Sequence, residues 1–199
     1  LITPRNFLGL DAFHAQELRG IIDCAKNLKK DQTFSANVLA GKTLAMIFEK
    51  PSTRTRISFD IAMSQLGGRV VSLSTKELQL GRGETLADTT GMVSNYADLI
   101  VVRHHLAGAA QVMADYASVP VINGGDGAHS HPTQALIDLY TIQNRKGDVA
   151  DLTIGICGDL RYSRSAHSLS KLIARFGGRQ VHVEPDGFHI LFKILEMGV

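Results

Sequence analysis

The feature that most constrains the fold is a regular alternation of short apolar segments with segments of helical period. After an amphipathic helix predicted over 11–30, strand and helix patterns alternate at 43–48, 53–66, 69–73, 85–96, 98–103, 107–117, 119–123 and 132–146. Short, continuous apolar strands that alternate with helices are typical of a parallel sheet covered on both faces. We therefore predict an α/β fold with a doubly wound parallel sheet.

A polar stretch containing glycine, NRKGDVADL at 144–152, interrupts this alternation and predicts a domain boundary. Further strands are predicted at 152–156 and 179–184, with helices at about 164–176 and 187–197. The apolar last helix would have no partner surface in so small a sheet. We predict two doubly wound domains, 1–147 and 148–199, and expect the second to be incomplete because the chain is truncated at its C-terminus.

Composition excludes two classes of partner. The chain has 199 residues with 21 Lys+Arg against 19 Asp+Glu, and the net charge of +2 gives no electrostatic argument for nucleic acid. Apolar runs of about five residues are far shorter than the roughly 20 that a membrane helix needs. Cys24 and Cys157 match no metal or disulfide spacing. We expect both to be buried thiols in a reducing compartment, and the protein to be cytoplasmic.

The stretch EKPSTRTRISFD at 49–60 predicts an anion-binding helix start. Ser52 is a good N-cap for a helix that begins at Thr53, and the amides of the first turn would be presented together at the positive end of the helix dipole. Arg54 adds a planar guanidinium suited to phosphate oxygens, whereas Arg56 is interpreted as structural. A capped helix whose arginines pair with surface acids is the alternative.

Apolar residues in the same stretch are expected to hold this helix firmly against the sheet. They are Ile57, Phe59, Ile61, Met63 and Leu66. A helix fixed in this way would present its first turn as a rigid anion holder.

Other candidate side chains follow other predicted strands. Arg103 comes directly after DLIVV, His131 and Gln134 follow a glycine-rich loop at 123–134, and Arg161 and Arg164 lie in the loop after 152–156. Open α/β sheets bind ligands at the carboxyl ends of their strands. The arginines and His131 therefore predict a site that holds more than one negative charge.

Metal and nucleotide sites are not predicted. The histidines at 104, 105, 129 and 131 could suggest a metal, but neither HExxH nor CxxC spacing accompanies them. Neither a Walker A loop nor a GxGxxG motif follows a strand. Thr85 and Asp88 have the spacing of a capping box, and Asp126 is interpreted as fixing a turn. No metal and no cofactor are expected.

The motifs PSTRTR, GETLADT, VVRH, HPTQALIDLYTI and GDLRYSRSAHSL occur in the order seen in the aspartate and ornithine carbamoyltransferases. The chain resembles this family over nearly its whole length. The resemblance implies two α/β domains, the first binding carbamoyl phosphate and the second an amino acid. It also implies a homotrimer with active sites shared between subunits, and leaves association with regulatory subunits open.

The resemblance also implies roles for individual residues. It implies catalytic roles for Arg54, Thr55, Arg103 and His131. The implied contacts of carbamoyl phosphate are these four residues together with Ser52, Thr53 and Gln134. The implied contacts of aspartate are Arg161 and Arg164. Arg82 and Lys76 are the candidates for a loop that reaches the neighbouring subunit's site.

The motifs imply the carbamoyl donor more strictly than the amino acid that accepts the carbamoyl group. GDLRYSR and the threonine of HPTQ resemble the aspartate branch, whereas Lys50 and LQLGRGE resemble the ornithine branch. The expected reaction is carbamoyl transfer to the amine of L-aspartate, giving N-carbamoyl-L-aspartate and phosphate for pyrimidine biosynthesis. The alternatives are an ornithine carbamoyltransferase and a truncated, non-catalytic carbamoyl phosphate-binding module.

Overall fold

The structure is a computed structural model that describes residues 5–31, 37–74 and 83–190. Its helices are α1 (Ala15–Lys30), α2 (Thr53–Gln65), α3 (Leu86–Ser94), α4 (Ala109–Tyr116), α5 (Pro132–Lys146) and α6 (Arg164–Arg175). Its strands are β1 (Thr43–Phe48), β2 (Arg69–Ser74), β3 (Leu99–His104), β4 (Val121–Asp126), β5 (Thr153–Cys157) and β6 (Arg179–Val183). The predicted alternation of strands and helices is confirmed.

The first sheet has four parallel strands in the order β2-β1-β3-β4. Side chains alternate between its faces, so successive residues of β1 enter different cores. Ala45 and Ile47 pack in a cluster that includes Val93 of α3 and Met113 of α4. Leu44 and Met46 pack on the other face with Met63 of α2. Helices thus cover both faces, and the predicted doubly wound sheet is confirmed.

The second sheet consists of β5 and β6, which pair in parallel. Helix α6 connects them and buries Leu172 and Ile173, and its C-cap residue Phe176 is also buried. A Cβ at Gly178 would lie 2.6 Å from Cγ1 of Val149, so the close approach of the chain before β6 requires glycine.

The chain divides into two compact units. Unit 1 comprises 1–8 and 27–127, and unit 2 comprises 9–26 and 128–199. This break at 127/128 differs from the expected boundary at 147/148 because α5 packs against α6. Residues 9–26 join unit 2 partly through Arg175, whose Nη1 donates to the carbonyl of Phe13 at 2.8 Å.

Strand β4 continues to Asp126, beyond the predicted end at 123. The glycines that predicted a loop instead allow close backbone packing, because a Cβ at Gly124 would lie 3.1 Å from the carbonyl oxygen of Val102. The helix predicted from 187 is wrong for 187–190, which form a turn and irregular structure, and its remainder lies outside the described residues.

The expectation that five apolar residues anchor α2 is wrong for two of them. Ile57 and Ile61 are 55% and 52% exposed, and Met63 is the buried residue of this helix. Residues 57, 59, 61 and 63 alternate with a period of two, and a helix with 3.6 residues per turn cannot place them all on one face. Helix α2 therefore leaves two isoleucines at the surface.

Two further expectations concern the cysteines and the membrane. Cys24 and Cys157 are exposed rather than buried, because they lie on the outer faces of α1 and β5. In the part of the chain that the structure describes, no helix is both long and apolar enough to cross a membrane.

Candidate functional site

Helix α2 begins at Thr53 with Ser52 at its N-cap, as predicted. The Ser52 hydroxyl, however, makes no cap hydrogen bond to the helix backbone and instead donates to Oγ1 of Thr55 at 3.0 Å. The first helical bond runs from the amide of Arg56 to the carbonyl of Ser52 at 3.1 Å. Because the serine does not cap them, the amides of residues 53–55 remain directed out of the first turn. Arg54 is exposed at the same helix end.

Arg103 is fixed beside this helix start. It is half-buried on β3, next to Phe48 of β1, and its Nη1 donates to the carbonyl of Gly124 at 2.8 Å and to Oγ1 of Thr55 at 3.4 Å. A Cβ at Gly124 would lie 3.6 Å from Cγ2 of Thr55. The carboxyl ends of β1, β3 and β4 therefore meet where the first turn of α2 opens.

Sequence reasoning missed a cluster formed by Glu49, His104 and His105. Oε2 of Glu49 lies 2.8 Å from Nε2 of His104 and is also hydrogen-bonded to Nδ1 of His105. His104 is buried, and this burial lowers its pKa while the Glu49 carboxylate acts in the opposite direction. The sequence signal for this cluster was Glu49 directly after β1 and two histidines at the end of β3, the neighbouring strand.

The interpretations of Thr85, Asp88 and Asp126 as structural are consistent with their contacts. Thr85 and Asp88 form the predicted capping box at the start of α3. The two bonds from Thr85 lower the pKa of the Asp88 carboxyl. Asp126 is buried and accepts hydrogen bonds from the amide of Gly108 at 2.7 Å and from Nδ2 of Asn123 at 2.8 Å.

His131 lies in unit 2, buried at the N-cap of α5. Its amide donates to Oγ of Ser168 on α6 at 2.9 Å, and its Nδ1 lies 3.4 Å from Oγ1 of Thr133. When the threonine hydroxyl donates to Nδ1, the neutral imidazole carries its proton on Nε2 and can donate it. Ser168, which positions the backbone of His131, was not predicted.

Gln134 extends from the first turn of α5. Its Nε2 donates to Oδ1 of Asp138 at 2.9 Å, so the carbonyl oxygen of this amide is directed away from that contact. Burial raises the pKa of the Asp138 carboxyl, and the hydrogen bond from Gln134 opposes this effect. Asp138 was also missed, although it lies one helical turn from a predicted site residue.

The two arginines predicted to read the amino acid differ in their surroundings. Arg161 is exposed, donates from Nη1 to the carbonyl of Gly187 at 3.3 Å and lies 5.5 Å from the ring centre of Tyr162. Arg164 is half-buried and is the first residue of α6, whose N-cap Ser163 accepts from the amide of Ala166 at 3.3 Å.

The candidate residues divide between the units. Unit 1 contains Ser52, Thr53, Arg54, Thr55 and Arg103, and unit 2 contains His131, Gln134, Arg161 and Arg164. Arg82 and Lys76 lie outside the described residues. Within unit 1 the predicted groups Ser52, Thr55 and Arg103 form one hydrogen-bonded chain.

The fold and the first unit define an α/β protein with an uncapped helix start at the carboxyl edge of a parallel sheet, where open α/β sheets commonly bind ligands. The sequence model of the family "Aspartate/ornithine carbamoyltransferase, carbamoyl-P binding domain" matches residues 5–144. The chain belongs to this family.

Comparisons with individual proteins agree. The chain is 44% identical over 187 residues to the aspartate carbamoyltransferase catalytic subunit of Bifidobacterium longum, covering 93% of this chain and 58% of that protein. It is 50% identical over 163 residues to that of Picrophilus torridus, covering 81% and 53%. The structure of the ornithine carbamoyltransferase from Pyrococcus furiosus matches with a TM-score of 0.92 and 40% identity, over 99% of this chain and 63% of that one. The chain thus spans a little over half the length of the curated relatives.

Proposed function

We propose that the protein transfers a carbamoyl group from carbamoyl phosphate to L-aspartate, giving N-carbamoyl-L-aspartate and phosphate. The observation that carries this proposal is the contact of Arg103 with Thr55 at the start of α2, 3.4 Å between Nη1 and Oγ1. It sets a guanidinium and a hydroxyl beside a helix N-terminus, and all three favour a phosphate group. The names of the two curated relatives support aspartate as the acceptor.

Within this proposal, the aspartate amine attacks the carbonyl carbon of carbamoyl phosphate. A C–N bond forms, the C–O bond to phosphate breaks, and the leaving phosphate takes up the proton released by the amine. No covalent enzyme intermediate is required. The protein contributes by holding two anionic substrates in a reactive geometry and by stabilising the oxyanion that develops on the carbonyl.

We assign a role to each side chain at the start of α2. The exposed guanidinium of Arg54 and the first-turn amides of α2 bind phosphate, with Ser52 and Thr53 completing this turn. Arg103 is held by the carbonyl of Gly124 at 2.8 Å, so its orientation is fixed before substrate binds. Arg103 and Thr55 together donate hydrogen bonds to the phosphate group and to the carbonyl oxygen of carbamoyl phosphate.

Roles are also proposed for the groups of unit 2. In the tautomer that carries its proton on Nε2, the buried His131 donates to the carbamoyl oxygen. Gln134 accepts from the carbamoyl amine through its carbonyl oxygen, because its amide nitrogen is engaged by Asp138. Arg161 and Arg164 bind the carboxylates of aspartate.

We assign carbamoyl phosphate binding to 1–147 and aspartate binding to 148–199, with Arg82 or Lys76 reaching a neighbouring subunit. A cytoplasmic homotrimer is proposed. The exposed Ile57 and Ile61 of α2 support this assembly, since a second copy could cover them.

An ornithine carbamoyltransferase is the second candidate. It is favoured by the structural match to the Pyrococcus furiosus enzyme, at 40% identity, and by Lys50. The two candidates share the carbamoyl donor and differ only in the amine.

The test is to incubate the full product of the gene encoding this chain with carbamoyl phosphate and either L-aspartate or L-ornithine, and to identify the product by mass spectrometry. N-carbamoyl-L-aspartate is the expected product, and citrulline would replace the first candidate by the second. Saturable binding of carbamoyl phosphate without carbamoylation of either amine would instead indicate a binding module.

A further inference from the structure

We propose that Glu49 and His105 bind a divalent transition-metal cation, with His104 orienting the Glu49 carboxylate. This site goes beyond the proposed carbamoyl transfer and does not depend on it. Among the described residues, these three form the one group of histidines and acids whose potential ligand atoms all lie within 4.8 Å of one another.

The parallel pairing of β1 with β3 brings the three side chains together. Phe48 lies beside Arg103 in the sheet, and the amide of Glu49 donates to the carbonyl of Arg103 at 2.9 Å. This sheet edge therefore holds Glu49, which follows β1, and His104 and His105, which end and follow β3. The rings of His104 and His105 stack with centroids 4.7 Å apart and planes at 19°, and both rings contact the same carboxylate oxygen.

The hydrogen bonds distinguish the two histidines. Nδ1 of His104 accepts from the amide of Leu106 at 3.0 Å, so in the neutral ring the proton lies on Nε2. That Nε2–H donates to Oε2 of Glu49 at 2.8 Å. His104 therefore has no lone pair to offer a cation, and it acts by fixing the carboxylate, as hydrogen-bonding partners of metal ligands commonly do.

His105 and Glu49 have the exposure and chemistry of ligands. Their side chains are 56% and 25% exposed, so a cation can reach them from solvent. A cation would replace the proton between Nδ1 and Oε2, at about 2.0–2.2 Å from each atom. Binding therefore requires the exposed His105 ring to rotate away from Oε2. Water would complete the coordination.

An imidazole paired with a carboxylate favours Zn²⁺, Ni²⁺ or Co²⁺ over Mg²⁺ and Ca²⁺, which prefer oxygen ligands. The alternative is a simple histidine–glutamate pair. The chain supplies a matched example of such a pair in His189 and Glu184, with Nδ1 and Oε1 3.0 Å apart. That pair has no second histidine on its carboxylate among the described contacts.

The test is calorimetric titration of Zn²⁺ into the chain, with Cys24→Ser and Cys157→Ser in every arm because both thiols are exposed. We expect one equivalent to bind. His105→Ala and Glu49→Gln should each weaken binding at least about tenfold, whereas His189→Ala should leave it unchanged. His104→Gln should weaken it by about 10- to 100-fold, the range typical for a partner that orients a ligand.

Circular dichroism must show each variant folded, and His105→Ala, which alters an exposed side chain, is the variant least able to disturb the fold. No saturable Zn²⁺ binding, or binding that survives either His105→Ala or Glu49→Gln, overturns the proposal. Equal loss in His189→Ala would likewise overturn it, because the site would then not be distinguished from a simple pair.

Discussion

Two helices of unit 1 begin in opposite ways. At the start of α3, the Thr85 hydroxyl accepts from the amide of Asp88 at 3.1 Å, and the Asp88 carboxylate accepts from the amide of Thr85 at 3.3 Å. At the start of α2, the Ser52 hydroxyl turns to the Thr55 side chain instead. The first turn of α2 contains no acid, and Arg54 sets a positive charge at the positive end of its dipole.

The start of α3 thus favours the stability of its helix, whereas the start of α2 is proposed to serve ligand binding. The start of α3 satisfies its own backbone, whereas the start of α2 has a charge and a cap that are unfavourable for an isolated helix. Local features that oppose stability are expected at functional sites. The helix α2 is retained because Met63 packs beneath the sheet, and its first turn is available to an anion.

The largest expected effect on binding comes from placing an acidic residue in the first turn of α2, where α3 has one. Thr55→Asp installs a carboxylate at the position that Asp88 occupies in the capping box, three residues after the N-cap. Carbamoyl phosphate affinity should fall at least about 100-fold, since juxtaposed like charges cost several kcal/mol. Calorimetry measures the affinity and thermal denaturation the stability, which should not fall. An unchanged affinity for carbamoyl phosphate would contradict the proposal that the start of α2, unlike that of α3, binds an anion.

A smaller effect is expected from matched cap substitutions. Thr85→Ala should lower the free energy of unfolding by about 1 kcal/mol, because it removes a side-chain cap. Ser52→Ala should lower it by under about 0.5 kcal/mol, since Ser52 makes no cap bond to the backbone. Urea denaturation compares the two. Equal losses would show that Ser52 caps α2 in solution.

The smallest effect is a pH dependence confined to α3. The bonds from Thr85 lower the pKa of Asp88 below its ordinary value of 3.8, so their stabilisation is present above that value and is lost as the pH falls through the lowered pKa. The stability difference between the protein and Asp88→Asn should therefore shrink in this acidic range. A carboxyl titration by NMR gives the pKa directly, and a value at or above 3.8 would contradict the contact.

Local patterns predicted the parts of the molecule that depend on neighbouring residues. The bounds of β1 and α5 and the capping box of α3 follow from apolar period, proline position and residue spacing. The position of Arg103 at a strand end followed in the same way. These features are encoded within windows of about 11–18 neighbouring residues.

Features set by strand order were not predictable. The contact of Glu49 with His104 exists because β1 and β3 are neighbours, and spacing along the chain does not reveal that neighbourhood. The exposure of Ile57 and Ile61 was missed because apolar content was counted without the helical period. The grouping of α5 with α6 depends on packing between elements, and a polar linker is only an indirect indication of it.

The central claim is that the first turn of α2 binds phosphate through Arg54. The most direct measurement is calorimetric titration of carbamoyl phosphate into the chain and into Arg54→Ala, with Arg56→Ala as the matched control on the same helix. We expect affinity to fall by about 10- to 100-fold in Arg54→Ala, because a hydrogen bond to a charged group contributes about 1.5–3 kcal/mol, while thermal stability and the affinity of Arg56→Ala stay near those of the parent chain. Retained affinity in Arg54→Ala, or an equal loss in Arg56→Ala, would contradict the account.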